Sequence, residues 1–433
     1  MVGRQHDSGS QSVRIDLRYG AGSLPLEIPQ RFAAELVTPR TIIEQRSLLQ
    51  EVNRTLETPP DSGSLSEMMK NAKTVAVVVN SEQDIELNRR LLDILLDILG
   101  TSMTDPSNVT ILFSSDADTH AKHRDIERML GEPTAKGHHL LLHDAKEGEA
   151  VCYLGDTATH STPVTINKTF AEADFRIGIG TIRCNVFVGA TGGRMSVMPH
   201  VCGFKTIARS TRLQATHRVG PFMTDSAASL DMEEISRIAN LDFILNAVPD
   251  WRDNIAAIIA GEPYKSWNRG VNVSRALTEI PMQHKADIAI VSPGGGLSDS
   301  SLFAAVDSLC AAHEATEYGG TILLIAECAD GLGPIGFLNG VSKCKSASEV
   351  EIAAETGFEP GMEKSRFFWN ILSSRSLIIC SRLRESLVTE HFHGLAVRDP
   401  QEGLELARSQ IVSAPRVAVI PQGNRTLPVP RTR

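Results

Sequence analysis

Two glycine-rich turns and a run of histidines carry the residue types best suited to chemistry. SPGGGLSD (292–299) follows an apolar run and precedes a helix-like segment. Backbone amides at such a turn carry partial positive charge and draw anions, and glycines let a ligand come close. Neither GxGxxG nor a Walker loop is spelled out, so a tight strand-to-helix turn is the competing reading. GATGGRMSVMPH (189–200) sets Gly192 and Gly193 beside Thr191 and Arg194, as a second phosphate cradle or as a turn with one solvated arginine. His120, His123, His138, His139 and His143 share one short stretch. No HEXXH and no zinc-type Cys/His spacing accompanies them, so no metal site is assigned. A GxSxG elbow is absent, which argues against a serine hydrolase of that design.

The elements around these turns alternate strand and helix. TVAVVVN (74–80) is a β-branched run of the kind buried on both faces of a parallel sheet. In residues 84–100, Leu87, Leu91, Ile94, Leu95 and Ile98 recur at helical spacing, with Gly100 as the stop. Strands are expected at 108–115, 138–145, near both ends of 164–180 and at 243–250, with helix on either side of the last. VRIDLRYGAGSLPLEIP (13–29) reads as a hairpin. Residues 261–285 show few apolar runs and are expected to connect two domains. The alternation then restarts with a strand at 286–296, a helix over 298–315 capped by Ser298 or Asp299, and strands near 319–331, 376–381 and 416–423. The expected architecture is two α/β domains with mainly parallel sheets and a cleft between them. They follow a disordered leader (1–12), spanning 13–270 and 271–433.

Composition bounds the function. Over 433 residues, 42% are hydrophobic and 22% charged, enough for two buried cores. A formal net charge of -9 disfavours nucleic acid as a partner. No apolar run reaches the ~20 residues that span a bilayer, and the polar N-terminus does not read as a secretory signal. Seven scattered cysteines without a CxxC pair suit a reducing compartment, and the expected location is cytoplasmic.

Several phrases together resemble the lactate racemase family. They are YGAGSLPLEIP, THAKHRDIERMLG, LHDAKEGEAVCYLGDTATHSTPVTINKTFAEADFRIGIGTI, VFVGATGGRMSVMPHVCGFKTI, IIAGEPYKSWNRGV and SPGGGLSDSSLFAAVDSLCAAHEATEYGGTILLIAECADGLG, spread in order over most of 13–335. The resemblance implies two α/β domains with the active site in the cleft between them. It also implies a nickel pincer nucleotide attached through a lysine, two histidines as acid and base, and a third histidine on nickel. The reaction implied is hydride transfer between a 2-hydroxy acid and that cofactor.

Matched residue by residue, the chain departs from this pattern. His120 fits the first catalytic histidine. The second belongs in a Gly-x-Ile-x-Pro-His phrase, which is GTIRCN here, so Asn185 stands in its place. Asn does not exchange a proton near neutral pH. Met195 stands where the cofactor-bearing lysine is expected, so covalent attachment is not expected, and Thr211 matches the nickel histidine. An Asp-x-Thr-Arg segment corresponds to SEQD (81–84), which lacks both its aspartate and its arginine, and a Tyr and a Lys near the substrate match Gly296 and Ser298. Catalytic candidates are His120, Asn185 by position, and His200. Cofactor-binding candidates are Gly192, Gly193, Arg194, Gly294, Gly295, Ser298 and Asp299.

Three classes of function follow. The first is a racemase or epimerase of a small 2-hydroxy acid or sugar acid, using His120 with His200 or His217. The second is a non-catalytic member that binds a small anionic molecule in the cleft. The third is an enzyme of different chemistry, with a metal on His200, Cys202 or His217.

Overall fold

The computed structural model describes residues 12–43, 47–80, 84–102, 105–114 and 137–431. They divide into a middle unit, Thr41–Ala276, and a terminal unit that joins the residues up to Arg40 to Leu277–Arg433. Among the described residues, no helix is long and apolar enough to cross a membrane.

The middle unit is built on a six-stranded sheet in the order Ile255–Gly261, Phe243–Pro249, Phe175–Thr181, Val75–Val79, Val109–Ser114, His139–His143. All neighbours pair in parallel except the first two. Val75–Val79 is buried along its whole length, as a central parallel strand must be. The following helix, Ile85–Ser102, buries Leu91, Leu92, Leu95 and Leu99 against the sheet and runs past Gly100, so the expected stop there does not occur. Ile255–Gly261, expected as helix, is an antiparallel edge strand. Only residues 250–254 separate it from the preceding strand, which suffices for a hairpin but not for a crossover. The expected connection is instead the helix Pro263–Thr278. Its proline suits a first helical position, and buried Trp267, Val271 and Ser274 share one face, a stripe too sparse in apolar residues to stand out.

The sheet of the terminal unit runs Leu395–Val397, Ser376–Cys380, Thr316–Ile325, Ala286–Val291, Arg416–Ile420, Ala33–Leu36, parallel throughout. Alternate residues of Ala286–Val291 enter different cores. Ala289 and Val291 pack with Leu302, Phe337 and Phe368. Ile288 and Ile290 pack with Ile15, Leu17, Leu26 and Ile28 of the hairpin Ser12–Tyr19/Gly22–Pro29. Residues 13–40, expected with the N-terminal half, therefore belong with the C-terminal half. The hairpin's alternating pattern announces a buried face without saying which sheet it covers. The expected boundary at 270/271 falls inside Pro263–Thr278, and the chain changes unit at 276/277.

Each sheet has one point where the strand order reverses. In the middle unit the chain leaves Val75–Val79 for Val109–Ser114 on one side and later places Phe175–Thr181 on the other. In the terminal unit Ala286–Val291 is flanked in the same way by Thr316–Ile325 and Arg416–Ile420. Ligands of such sheets collect outside the carboxyl ends of the strands at these reversals.

Candidate functional site

In the terminal unit the glycine turn meets the tip of the hairpin. Ser292 Oγ donates to the Arg18 carbonyl (2.6 Å) and the Gly296 amide to the Gly20 carbonyl (2.9 Å). Gly295 has φ +77°, and a methyl carbon built there would stand 2.8 Å from the Gly20 carbonyl oxygen, so the close approach requires glycine. Gly294 lies against Gln422, and Ser298 is half-buried. Asp299 is fully buried, and its Oδ2 accepts the amides of Gly20 (2.8 Å) and Glu327 (3.1 Å). It therefore holds two loops together rather than capping a helix. Ser301 is the cap, accepting from the Ala304 amide, and the helix expected over 298–315 is split into short pieces, Leu302–Ala305, Val306–Ser308 and Leu309–Ala315. Gly296 borders open space, and Leu297 is 84% exposed.

In the middle unit GATGGR is packed inward. Gly193 has φ +54°, its amide donates to Asn246 Oδ1 (2.9 Å), and a methyl carbon there would stand 2.5 Å from Trp267 Cδ1. Gly192 is hemmed in by Ile182 and the Thr181 carbonyl. Arg194, one of the cradle candidates, is buried. Its guanidinium lies 3.9 Å from the centre of the Trp267 ring and donates to the Val188 carbonyl (2.9 Å) and Ser229 Oγ (2.5 Å). Burial lowers its pKa to about 10.

Asn185 sits in the short pair Cys184–Asn185/Gly189–Ala190, where Oδ1 accepts the amides of Phe187 (2.8 Å) and Val188 (3.0 Å) and so closes the turn. His200 is buried close to His143. The His143 ring bridges the Cys202 carbonyl (Nε2, 2.9 Å) and Asn167 Nδ2 (Nδ1, 3.3 Å), and burial pulls its pKa down. His120 lies outside the described residues. Met195 is half-buried in the turn Gly193–Ser196, and Thr211 lies within the helix Phe204–Thr216. His217 is exposed at the end of that helix, its ring 5.7 Å from that of His160.

A thioether cannot form the linkage that an amine forms, so the residues matched to the nickel pincer nucleotide do not fit its covalent attachment. Among the described residues, no group of three His, Cys, Asp or Glu is placed to hold a metal ion.

Sequence inspection overlooks a charged network at the strand reversal of the middle unit. Arg183, just past the end of Phe175–Thr181, is buried. Its Nε and one terminal nitrogen engage both oxygens of Asp84 (2.7 and 2.8 Å). The terminal nitrogen that meets Asp84 also donates to Asp253 Oδ1 (2.6 Å), and the other terminal nitrogen donates to the Asp250 carbonyl (3.1 Å). Thr181 Oγ1 also donates to Asp84 (2.5 Å). The SEQD segment, which lacks the motif's aspartate and arginine, thus ends in a carboxylate that holds a guanidinium supplied by the neighbouring strand. A lone arginine directly after the apolar run FRIGIGTI was the available signal.

Two family descriptions match the chain, the lactate racemase N-terminal domain over residues 19–220 and the lactate racemase C-terminal domain over 282–427. The lactate racemase of Lactiplantibacillus plantarum is 26% identical over 421 residues, covering 95% of this chain and 98% of that protein. That of Thermoanaerobacterium thermosaccharolyticum is 24% identical over 420 residues, with the same coverage. The lactate racemase apoprotein structure from T. thermosaccharolyticum superposes with a TM-score of 0.84 at 23% identity, covering 97% of this chain and all of that one. A Thermotoga maritima protein superposes with a TM-score of 0.65 at 12% identity, over 90% of this chain. The two domain matches span most of the sequence in the family's order, and the chain belongs to the lactate racemase family.

Proposed function

We propose that this chain is a racemase or epimerase of a small 2-hydroxy acid or sugar acid that does not use the histidine pair expected of its family. The observation that carries this reading is Arg183, a buried guanidinium held at the strand reversal where such sheets take ligands. A guanidinium is the side chain best matched to a carboxylate, and while Asp84 holds its fork on the inner side, its contact with the exposed Asp253 is where a further carboxylate could bind. The relatives named lactate racemase support the reaction class. Asn185 spends its amide oxygen on a turn and carries no titratable proton, so proton transfer falls to other groups, among them His120. Seven free cysteines support a reducing, cytoplasmic setting.

A second reading, a family member that binds its acid without turning it over, is favoured by the same use of Asn185 and by Met195 at the lysine position. Chiral chromatography separates the two. The purified chain, and the chain co-produced with cofactor-making enzymes, are incubated with single enantiomers of lactate, malate and glycerate and with epimeric sugar acids. The first reading expects the opposite configuration to accumulate for at least one of them. Unchanged enantiomers throughout would leave the binding role.

A further inference from the structure

The Arg183 network has one permanent side and one exchangeable side. On the inner side, Asp84 takes two N–H groups of the guanidinium, with only 9% of its side chain exposed. A buried, two-pronged pair of this kind is held by its neighbours and by the lack of competing water. On the outer side stands Asp253, at 2.6 Å but with 68% of its side chain exposed. Ion pairs with so exposed a partner are weak, because water and salt compete for both charges. Asp253 lies in the five-residue loop 250–254 that joins the two antiparallel strands, and its φ is +63°. Few L-residues adopt that region without cost, although aspartate and asparagine tolerate it best.

Exposure gives the consequence. The carboxylates of Asp84 and Asp253 both meet Arg183, and of the two only that of Asp253 is open to an incoming anion. An anion therefore reaches the guanidinium by replacing this exposed member. Asp253 has the chemical group of the ligand proposed above, so it occupies the position a ligand carboxylate would take.

We propose that Arg183 is the carboxylate-binding residue of the middle unit and that Asp253 is a built-in competitor displaced by the carboxylate of the bound acid. This rests on the carboxylate reading of the preceding subsection. Displacement moves the loop that also carries Trp251, which gives a signal independent of turnover.

The test is a titration of the wild-type chain, Asp253→Asn, Arg183→Lys and Arg183→Met with lactate, malate and glycerate, followed by calorimetry and tryptophan fluorescence. Asn keeps the shape and tolerates the same backbone region, so Asp253→Asn preserves the fold. It is expected to bind the favoured acid about two- to fivefold more tightly than wild type, because it removes both a competitor and a repulsion. Arg183→Lys keeps the charge but loses the fork and is expected to bind more weakly than wild type. Arg183→Met is expected to lose binding. Equal affinity in wild type and Asp253→Asn, or full affinity in Arg183→Lys, would overturn the displacement proposal while leaving the carboxylate reading intact. Absence of binding in every chain, Asp253→Asn included, would overturn both.

Discussion

Replacing Asp84 by Asn tests the Arg183 network as structure, apart from any ligand. Asn keeps the side-chain shape and tolerates the φ of +52° at this position, so the change isolates the charge. The carboxylate accepts from Arg183 Nε at 2.7 Å, from a terminal nitrogen at 2.8 Å and from Thr181 Oγ1 at 2.5 Å. An amide offers one oxygen, and its NH2 group faces a guanidinium N–H, so one charge-assisted bond becomes a clash of donors. Losing such a bond costs roughly 1.5–3 kcal/mol, and removing one partner of a buried pair costs roughly 3–5 kcal/mol. Asp253 still offsets part of the charge, so a cost of about 2–3 kcal/mol is expected. Urea unfolding followed by tryptophan fluorescence reads it directly, because Trp251 and Trp267 belong to the middle unit and only Trp369 to the other. With a slope of roughly 3 kcal/mol per molar, the midpoint of the middle unit should fall by about 0.7–1 M. The double variant Asp84→Asn, Arg183→Met should be destabilised by less than the sum of the singles, since neither charge is then left alone. A midpoint shift below about 0.2 M, or strict additivity in the double variant, would refute the network as a stabilising pair.

Gly193→Ala should destabilise the middle unit by about 2–4 kcal/mol, because the added carbon meets Trp267 Cδ1 at 2.5 Å in a backbone region alanine disfavours. Thermal melting checks it, and a melting point equal to wild type would contradict the close packing. His143 predicts a pH dependence. An unfolded histidine takes up a proton near pH 6.5, whereas burial holds the folded ring below that value. Between the two values the unfolded state binds more protons, so stability falls as pH drops below about 6.5, by at most ~1.4 kcal/mol per pH unit from this group. His143→Gln should show a smaller loss of melting temperature than wild type between about pH 8 and about pH 5.5, and an equal loss would remove His143 as a cause.

The sheet strands are legible where a β-branched run is buried on both faces, as in Val75–Val79 and Ala286–Val291. The helix Pro263–Thr278 is not, because it buries a narrow stripe and exposes Lys265, Asn268 and Arg269. The pairing of the opening hairpin with the distant C-terminal half is a long-range choice that no local pattern encodes. At the candidate site, glycine spacing marks both turns correctly as turns. At Gly193 and Gly295 the close approach that requires glycine is to the chain's own Trp267 and Gly20. Arg194 and Asp299 read as polar residues near a cradle, yet both point inward and hold loops together. Arg183 escapes notice because its partners, Asp84, Asp250 and Asp253, are remote in sequence and meet only when two strand ends and a hairpin loop come together.

The chain has the family's fold, and the proposal that it does not attach the family's cofactor rests on Met195 and Thr211 at the matched positions. Intact-mass spectrometry with nickel analysis, on protein co-produced with the enzymes that make the nickel pincer nucleotide, tests this most directly. The expected result is the unmodified mass of the chain with nickel far below stoichiometric, because Met195 offers no amine and Thr211 no imidazole. A mass increase equal to the nucleotide, accompanied by stoichiometric nickel, would contradict the account and place the attaching residue elsewhere in the chain.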